Sequence, residues 1–274
     1  MAKYLGETSW ETVDRSADPS AFVAYLDRMD ASAQMRHYRR KILDHLPLRK
    51  GERILDAGCG TGADTRELKF RVGRSGWVLG LDASRQMVRR ARDIAGNRDV
   101  LPPAYATGSI CDLPIATGTL DGLFCNRVLM HLRQPVLAVR EMARALRPGG
   151  WLGLFEPDWS KTRMQPDGRA SQAILATHCA SFENGAVGGV LGALVKAAGC
   201  EVIEDVERQE VIHDFKVIWP ILNLERSISA IGKSGVLSQE DIQAWQEELA
   251  SVAASGAFRL HMVGHICIGR KGSA

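Results

Sequence analysis

From residue 52 to residue 155 short apolar runs alternate with helical stretches, and no other feature constrains the fold as much. Residues 52–56 (ERILD), 77–82 (WVLGLD), 104–108, 121–126 (DGLFCN) and 151–155 read as strands. Residues 63–72, 85–95 and 135–146 read as helices, the second stopped by Gly96-Asn97 and the third by Arg147-Pro148-Gly149-Gly150. Strands joined through helices run parallel, because an antiparallel return needs only a hairpin. Repeated units of this length therefore predict an α/β fold: a seven-stranded, mostly parallel sheet with helices on both faces.

Outside that block the pattern is mixed. Residues 1–18 read as a polar arm, 19–45 as an N-terminal helix and 46–51 as a connector. Beyond Glu156 come helices at 168–182 and 187–198 and a strand at 201–212. Two helices follow within 215–254, broken near 232–235, with Ser238 and Asp241 as a cap for the second; a last strand spans 259–268. The division expected is an arm and helix at 1–50 and one domain at 51–274, with helical lid insertions near 160–186 and 213–257. Such insertions would cover a site or form a peripheral layer, and the sequence leaves both open.

Composition narrows the partners. The net charge is +3, and the basic clusters at 36–41 and 85–92 are short enough to be solvated helix faces, so a nucleic-acid partner is not expected. No apolar run reaches the ~18 residues of a membrane span. The N-terminus lacks the layout of a signal peptide. Six cysteines without a CxxC pair suit neither a zinc site nor a disulfide framework, so no metal is expected and the cytoplasm is the expected compartment. Oligomeric state is left open.

The strongest local signal is ILDAGCGTG at 54–62, an apolar strand running into glycines 58, 60 and 62 and then a helix. Glycines let the backbone turn sharply and approach a ligand without a Cβ clash. Gly58, Gly60 and Ala63 also satisfy the dinucleotide pattern, and Asp82 stands about 20 residues on, where a ribose is gripped. Asp56, just before the glycines, sits poorly beside a pyrophosphate and well beside a cation.

ILDAGCGTG resembles the first motif of class I S-adenosylmethionine-dependent methyltransferases, and LDAS followed by Met87 resembles the second. GSICDLPIATGTLDGLFCNRVLMHL is similar to the long third block and LRPGGWL to the entry into strand 5. The ordered set covers about residues 50–155, with the quinone-biosynthesis-type small-molecule enzymes as the most similar subgroup; EPDW at 156–159 also recurs there. The resemblance implies a Rossmann-like fold, S-adenosyl-L-methionine as cofactor and a small-molecule acceptor. It implies that Asp56, Gly58, Cys59, Gly60 and Gly62 face the methionine and ribose, and that Asp82 accepts both ribose hydroxyls. Ala83, Met87 and Ile110 would pack on the adenine, while Asn126 and Arg127 would reach the methionine by backbone or side chain. Where the family often has Asp, this chain has Ser109, a weaker acceptor for the adenine amino group; a shifted alignment would give that task to Asp112.

Methyl transfer from a sulfonium is an in-line displacement, so alignment matters most and a general base only if the acceptor must lose a proton. Ligands sit at the C-terminal ends of the strands in such sheets, which makes His131, Glu156 and Asp158 the candidate catalytic residues. Three readings follow: a small-molecule methyltransferase, a non-catalytic S-adenosylmethionine-binding module, and a nicotinamide-dependent oxidoreductase.

Overall fold

The computed structural model describes residues 10–98 and 101–273, so residues 1–9 of the predicted polar arm lie outside the described part. The arm's described end, Trp10–Arg15, is a 3-10 turn. Where one helix is expected at 19–45, the chain makes two, α1 (Pro19–Ala31) and α2 (Ala33–Leu43). Ser32 breaks them apart: its backbone is extended, and its hydroxyl accepts the Met35 N–H as the N-cap of α2.

The alternating block then unfolds close to expectation as β1 (Arg53–Ala57), α3 (Ala63–Val72), β2 (Trp77–Asp82), α4 (Arg85–Arg98), β3 (Ala104–Thr107), β4 (Leu120–Asn126), α5 (Pro135–Ala145) and β5 (Leu146–Pro157). Two punctuation marks behave differently. Gly96-Asn97 does not stop α4, which runs on to Arg98. The Arg147–Gly150 segment does not separate α5 from its strand; it is looped out within β5, where the register jumps from Leu120 beside Leu146 to Gly122 beside Trp151. The remaining elements are β6 (Arg163–Met164), α6 (Arg169–Ala180), α7 (Leu191–Ala197), β7 (Cys200–Ile212), α8 (Phe215–Ile221), α9 (Leu224–Ser234), α10 (Gln239–Ala254) and β8 (Leu260–Lys271). A 3-10 turn, Val187–Val190, takes the first residues of the helix expected at 187–198. The stretch 215–254 holds three helices, because Asn223 adopts a left-handed φ of 44° between α8 and α9. Ser238 and Asp241 form a reciprocal capping box at the start of α10.

The strands form one mixed sheet of eight, in the order β3-β2-β1-β4-β5-β8, with β7 on the far side of β8. The first five are parallel; β8 runs antiparallel to both β5 and β7. One strand more than the expected seven arises from β6, whose two residues pair with Leu260 and His261 of β8 beyond the point where β5 ends. Ten α-helices flank this sheet among the described residues. None of them is long and apolar enough to cross a membrane.

The topology positions a site. From β1 the chain winds outward through β2 to β3, then returns to place β4 on the other side of β1. The strand order reverses between β1 and β4, and a crevice opens beyond their carboxyl ends. The glycine loop leaves β1 there, and Asn126-Arg127 leave β4 there.

Candidate active site

The glycine loop is locked to β2. The N–H groups of Gly58 and Cys59 both donate to the Leu81 carbonyl, at 2.7 and 2.9 Å. Gly58, Gly60 and Gly62 have φ of 79°, 51° and 80°, a region that L side chains rarely enter. Close packing excludes side chains as well: a Cβ at Gly58 would stand 2.3 Å from the Val128 side chain, and one at Gly62 would stand 2.5 Å from the Tyr105 hydroxyl.

Asp82, half-buried at the end of β2, accepts the Gly60 N–H on one carboxylate oxygen (2.8 Å) and the Ser84 N–H on the other (2.9 Å). Burial raises its pKa, and those two N–H donors offset part of the rise. Asp82 does not cap α4. Ser84 Oγ accepts the Met87 N–H at 3.2 Å, and Asp14 reaches across to accept from Ser84 Oγ and from the Arg85 and Gln86 N–H groups. The carboxylate of Asp82 is thus left on the cavity wall with lone pairs to spare.

Asp56 and Asp64 sit nearby. Asp56 is buried but does not line the cavity: its carboxylate turns beneath the glycines to accept the Thr65 hydroxyl at 2.5 Å. The expected direct contact with the cofactor is therefore replaced by support from underneath. Burial, followed by the Asp64 carboxylate, pushes Asp56 up to about 8. Asp64, in the first turn of α3, lines the cavity, pairs with Arg39 at 2.8 Å and accepts the Asn126 amide at 2.7 Å. Asp64 and Asp82 give the glycine loop an acidic cradle on the cavity wall, while Asp56, pushed up to about 8, is mostly protonated beneath it at neutral pH. An acidic side chain in the first turn of α3 occupies the place where a dinucleotide's pyrophosphate would need bare N–H groups.

One cavity of about 500 Å³ runs from this cradle to an aromatic chamber. At the near end Met87 and Ile110 are buried walls, while Ala83 and Ser109 are exposed at the rim. Ser109 lines the cavity with its hydroxyl already accepting the Cys111 N–H at 3.1 Å; Asp112 does not line it. Cys59, Gly60, Asn126 and Arg127 border the middle.

The far chamber is walled by Tyr25, Met35 and Tyr38 of α1 and α2, by Met130 and His131 after β4, and by Trp159, His178 and Phe182. Pro220, Ile221, Asn223 and Arg226, around the α8–α9 junction, complete the roof. Both insertions thus contribute cavity walls, whereas α10 packs outside them, its Trp245 indole donating to Ser171 of α6 at 2.8 Å.

The candidate catalytic residues separate here. His131 lines the chamber between the rings of Trp10 and Phe182, with centroids 5.6 and 5.4 Å away. Burial and the Arg127 charge depress its pKa to about 3, which keeps it neutral. Glu156 and Asp158 lie off the cavity. Fully buried Glu156 accepts the N–H groups of Val128 (2.7 Å), Leu129 (2.6 Å) and Met130 (3.4 Å), so it holds the loop that presents Arg127 and His131. Burial pushes its pKa up to about 7 against those donors. Asp158 caps the following 3-10 turn by accepting from Ser160. A base role for either carboxylate is corrected on that ground: their oxygens face backbone and hydroxyl donors, not the chamber.

Sequence reasoning overlooked three chamber residues. Trp159 was only part of a motif, and Phe182 and His178 carry no pattern that marks them. His178 Nε2 and the Tyr38 hydroxyl are buried without a hydrogen-bond partner. No periodicity signals that two inserted helices converge on one pocket.

Comparison with known proteins agrees with this geometry. A family described as a methyltransferase domain matches residues 55–154. The chain is 36% identical over 245 residues to an uncharacterised 37.1 kDa transposon protein of Streptomyces fradiae, covering 88% of this chain and 70% of that one. It is 31% identical over 202 residues to nocamycin O-methyltransferase of Saccharothrix syringae, covering 66% and 71% of the two chains. It spans 51% of the length of the demethylmenaquinone methyltransferase of Staphylococcus carnosus, at 30% identity. Among solved structures, the YcgJ protein of Bacillus subtilis superimposes with a TM-score of 0.62 at 18% identity, over 87% of this chain and all of that one, a likeness of fold.

Proposed function

Starting from membership of the class I S-adenosylmethionine-dependent methyltransferases, the family to which this chain belongs, we propose that it methylates a small molecule enclosed in the far chamber. The observation that carries the reading is the continuity of one cavity from Asp82, through Asn126, to Trp159. A cofactor held at one end and an acceptor at the other meet inside that space, away from bulk water.

S-adenosylmethionine supplies a methyl group already activated by a positive sulfur. In the proposed arrangement Asp82 accepts the ribose hydroxyls, two charge-assisted bonds stronger than neutral ones. Met87, Ile110 and Ala83 pack on the adenine, and Ser109 borders its edge. Gly58, Cys59 and Gly60, with the backbone of Asn126 and Arg127, face the methionine portion; Gly62, also expected there, lies off the cavity, packed against Tyr105. The acidic cradle of Asp64 and Asp82 suits a cation. The chain's own contribution is alignment for in-line displacement, worth up to ~7–11 kcal/mol when geometry is ideal. The chamber walls exclude water from the line of attack.

Calorimetry with S-adenosylhomocysteine on the wild type and on Asp82→Asn tests the cofactor end. A charge-assisted bond is worth ~1.5–3 kcal/mol, so the variant should bind about 10- to 150-fold more weakly. Unchanged affinity defeats the assignment. Tritiated S-adenosylmethionine offered with a metabolite panel, a protein mixture and oligonucleotides tests the acceptor class; label appearing only in macromolecules defeats the small-molecule reading.

A further inference from the structure

Resting on the reading of the far chamber as the acceptor site, we propose that the acceptor is an organic acid on an apolar skeleton, and that its ionised oxygen is held by Arg127 and receives the methyl group. The chemistry is then O-methylation of an acid already charged at neutral pH.

Arg127 is the starting observation. It takes a left-handed φ of 58°, one of only two non-glycine residues with positive φ among the described residues. The other, Asn223, lines the same cavity. Backbone strain in a side-chain-bearing residue persists only where surroundings enforce it, and it clusters at ligand sites. The Arg127 N–H donates to the Phe155 carbonyl at 2.9 Å, which pins the residue at the end of β4. Its Nε donates to Asn126 Oδ1 at 3.2 Å, and no carboxylate among the described residues lies within ion-pair distance of its guanidinium. By contrast Arg39, Arg66, Arg90 and Arg144 all have carboxylate partners. A half-buried guanidinium with free donors is costly to leave unpaired and is built to take a planar oxyanion.

The groups around it agree. Its charge acts on Tyr25, Tyr38 and His131, and on the Glu156 carboxylate buried behind the loop, so the guanidinium stands at the chamber walls rather than in the acidic cradle. Burial raises both tyrosine hydroxyls, which therefore stay protonated and able to donate. An ammonium acceptor would meet like charge here. A neutral alcohol would need a base, and the chamber offers none that is strong at neutral pH. Glu156 and Asp158 are turned away, and burial depresses His131 to about 3 and His178 to about 4. Glu183, the remaining carboxylate beside the chamber, is exposed and pairs with Arg133 at 3.6 Å. Met35, Met130, Trp159, Phe182 and Ile212 provide apolar walls for the rest of the molecule.

The step balances without a base. The acceptor's anionic oxygen supplies the electron pair for the new O–CH₃ bond. The carbon–sulfur bond breaks with its pair remaining on sulfur. One negative and one positive charge cancel, and no proton is released.

The test uses carboxylic acids with two or three fused rings, each beside its carboxamide and primary alcohol. Wild-type protein is first loaded with S-adenosylhomocysteine, and binding of each probe is measured by calorimetry. Acids should bind and the neutral analogues should not. With S-adenosylmethionine, bound acids should be methylated with no proton uptake or release in weakly buffered solution. Arg127→Asn removes the charge with a residue that tolerates left-handed backbone, and should weaken acid binding about thirtyfold or more while S-adenosylhomocysteine affinity stays within twofold. Arg127→Lys should fall between. Binding confined to the neutral probes, no acid bound at all, or one proton released per methyl overturns the inference. So does a tenfold loss of S-adenosylhomocysteine affinity in Arg127→Asn, which would make Arg127 part of the cofactor grip. If the wild type fails to bind S-adenosylhomocysteine, the function proposed above fails with it; binding of S-adenosylhomocysteine without any acid sinks only the acid.

Discussion

Replacing Glu156 by alanine removes the acceptor for the loop that carries Arg127 and His131. Two strong bonds disappear, from the Val128 and Leu129 N–H groups at 2.7 and 2.6 Å, with a weaker one from Met130 at 3.4 Å. Glu156 is fully buried, so water cannot replace it without a rearrangement. Each buried N–H left unpaired costs ~1–3 kcal/mol, which puts the loss at ~2–6 kcal/mol for the two strong bonds together. That is a large share of the ~5–15 kcal/mol a domain possesses. Glutamine keeps one carbonyl oxygen for both strong bonds and should cost under ~1.5 kcal/mol. The pH dependence has a definite sign. The carboxyl titrates at 4.5 unfolded and at about 7 folded. Its contribution to stability is complete below pH 4.5, declines from pH 4.5 to about 7 as the unfolded chain releases a proton the folded one retains, and is flat above that. Glu156→Gln should erase this slope. Urea denaturation of wild type and both variants between pH 4 and 8 measures all of it. Should Glu156→Ala keep wild-type stability while losing turnover, the carboxylate acts on the acceptor and the scaffolding argument is refuted.

Gly58→Ala places a Cβ 2.3 Å from Val128 at a φ of 79°, so it should abolish cofactor binding or cost several kcal/mol of stability; wild-type affinity for S-adenosylhomocysteine would show that the loop yields. His131, depressed to about 3 by burial and by Arg127, should contribute no inflection to kcat/KM between pH 5 and 8. A step near pH 6.5 that vanishes in His131→Gln would instead identify it as a titrating base.

The parallel half of the fold was legible because each level of the sequence agreed. In ILDAGCGTG the strand, the glycines and the helix start all point to one turn, and the bounds of α3 and β2 match expectation to the residue. The breaks were less legible. Ser32 and Asn223 interrupt helices through a single backbone angle; both are residue types that favour caps and turns, but each stands inside a run of helical periodicity that masks the signal. In β5, Pro148-Gly149-Gly150 reads as a terminator, yet the sheet continues around it as a bulge. The site divides in the same way. Asp82 was readable because a strand end and a glycine loop specify it locally. Glu156 was not, because its partners are the N–H groups of residues 128–130, which carry no sequence signal. The chamber was invisible because α1, α2, α6 and the α8–α9 junction meet only in three dimensions.

The polarity of the cavity has a consequence for rate. Its cofactor end is negative, through Asp64 and Asp82, and its acceptor end is positive, through Arg127. Such a field stabilises a separated sulfonium and oxyanion. In the transition state those two charges are partly cancelled, so both ends stabilise the ground state more than the transition state. Arg127 therefore orders and retains the acceptor without lowering the chemical barrier, and the gain in rate must come from alignment. Kinetics can separate these roles. Arg127→Asn should raise KM for an acid substrate while kcat stays level or rises, the pattern of lost ground-state binding. A fall in kcat at unchanged KM would mean that the guanidinium contacts charge that develops during transfer, and would reverse the assignment of its role.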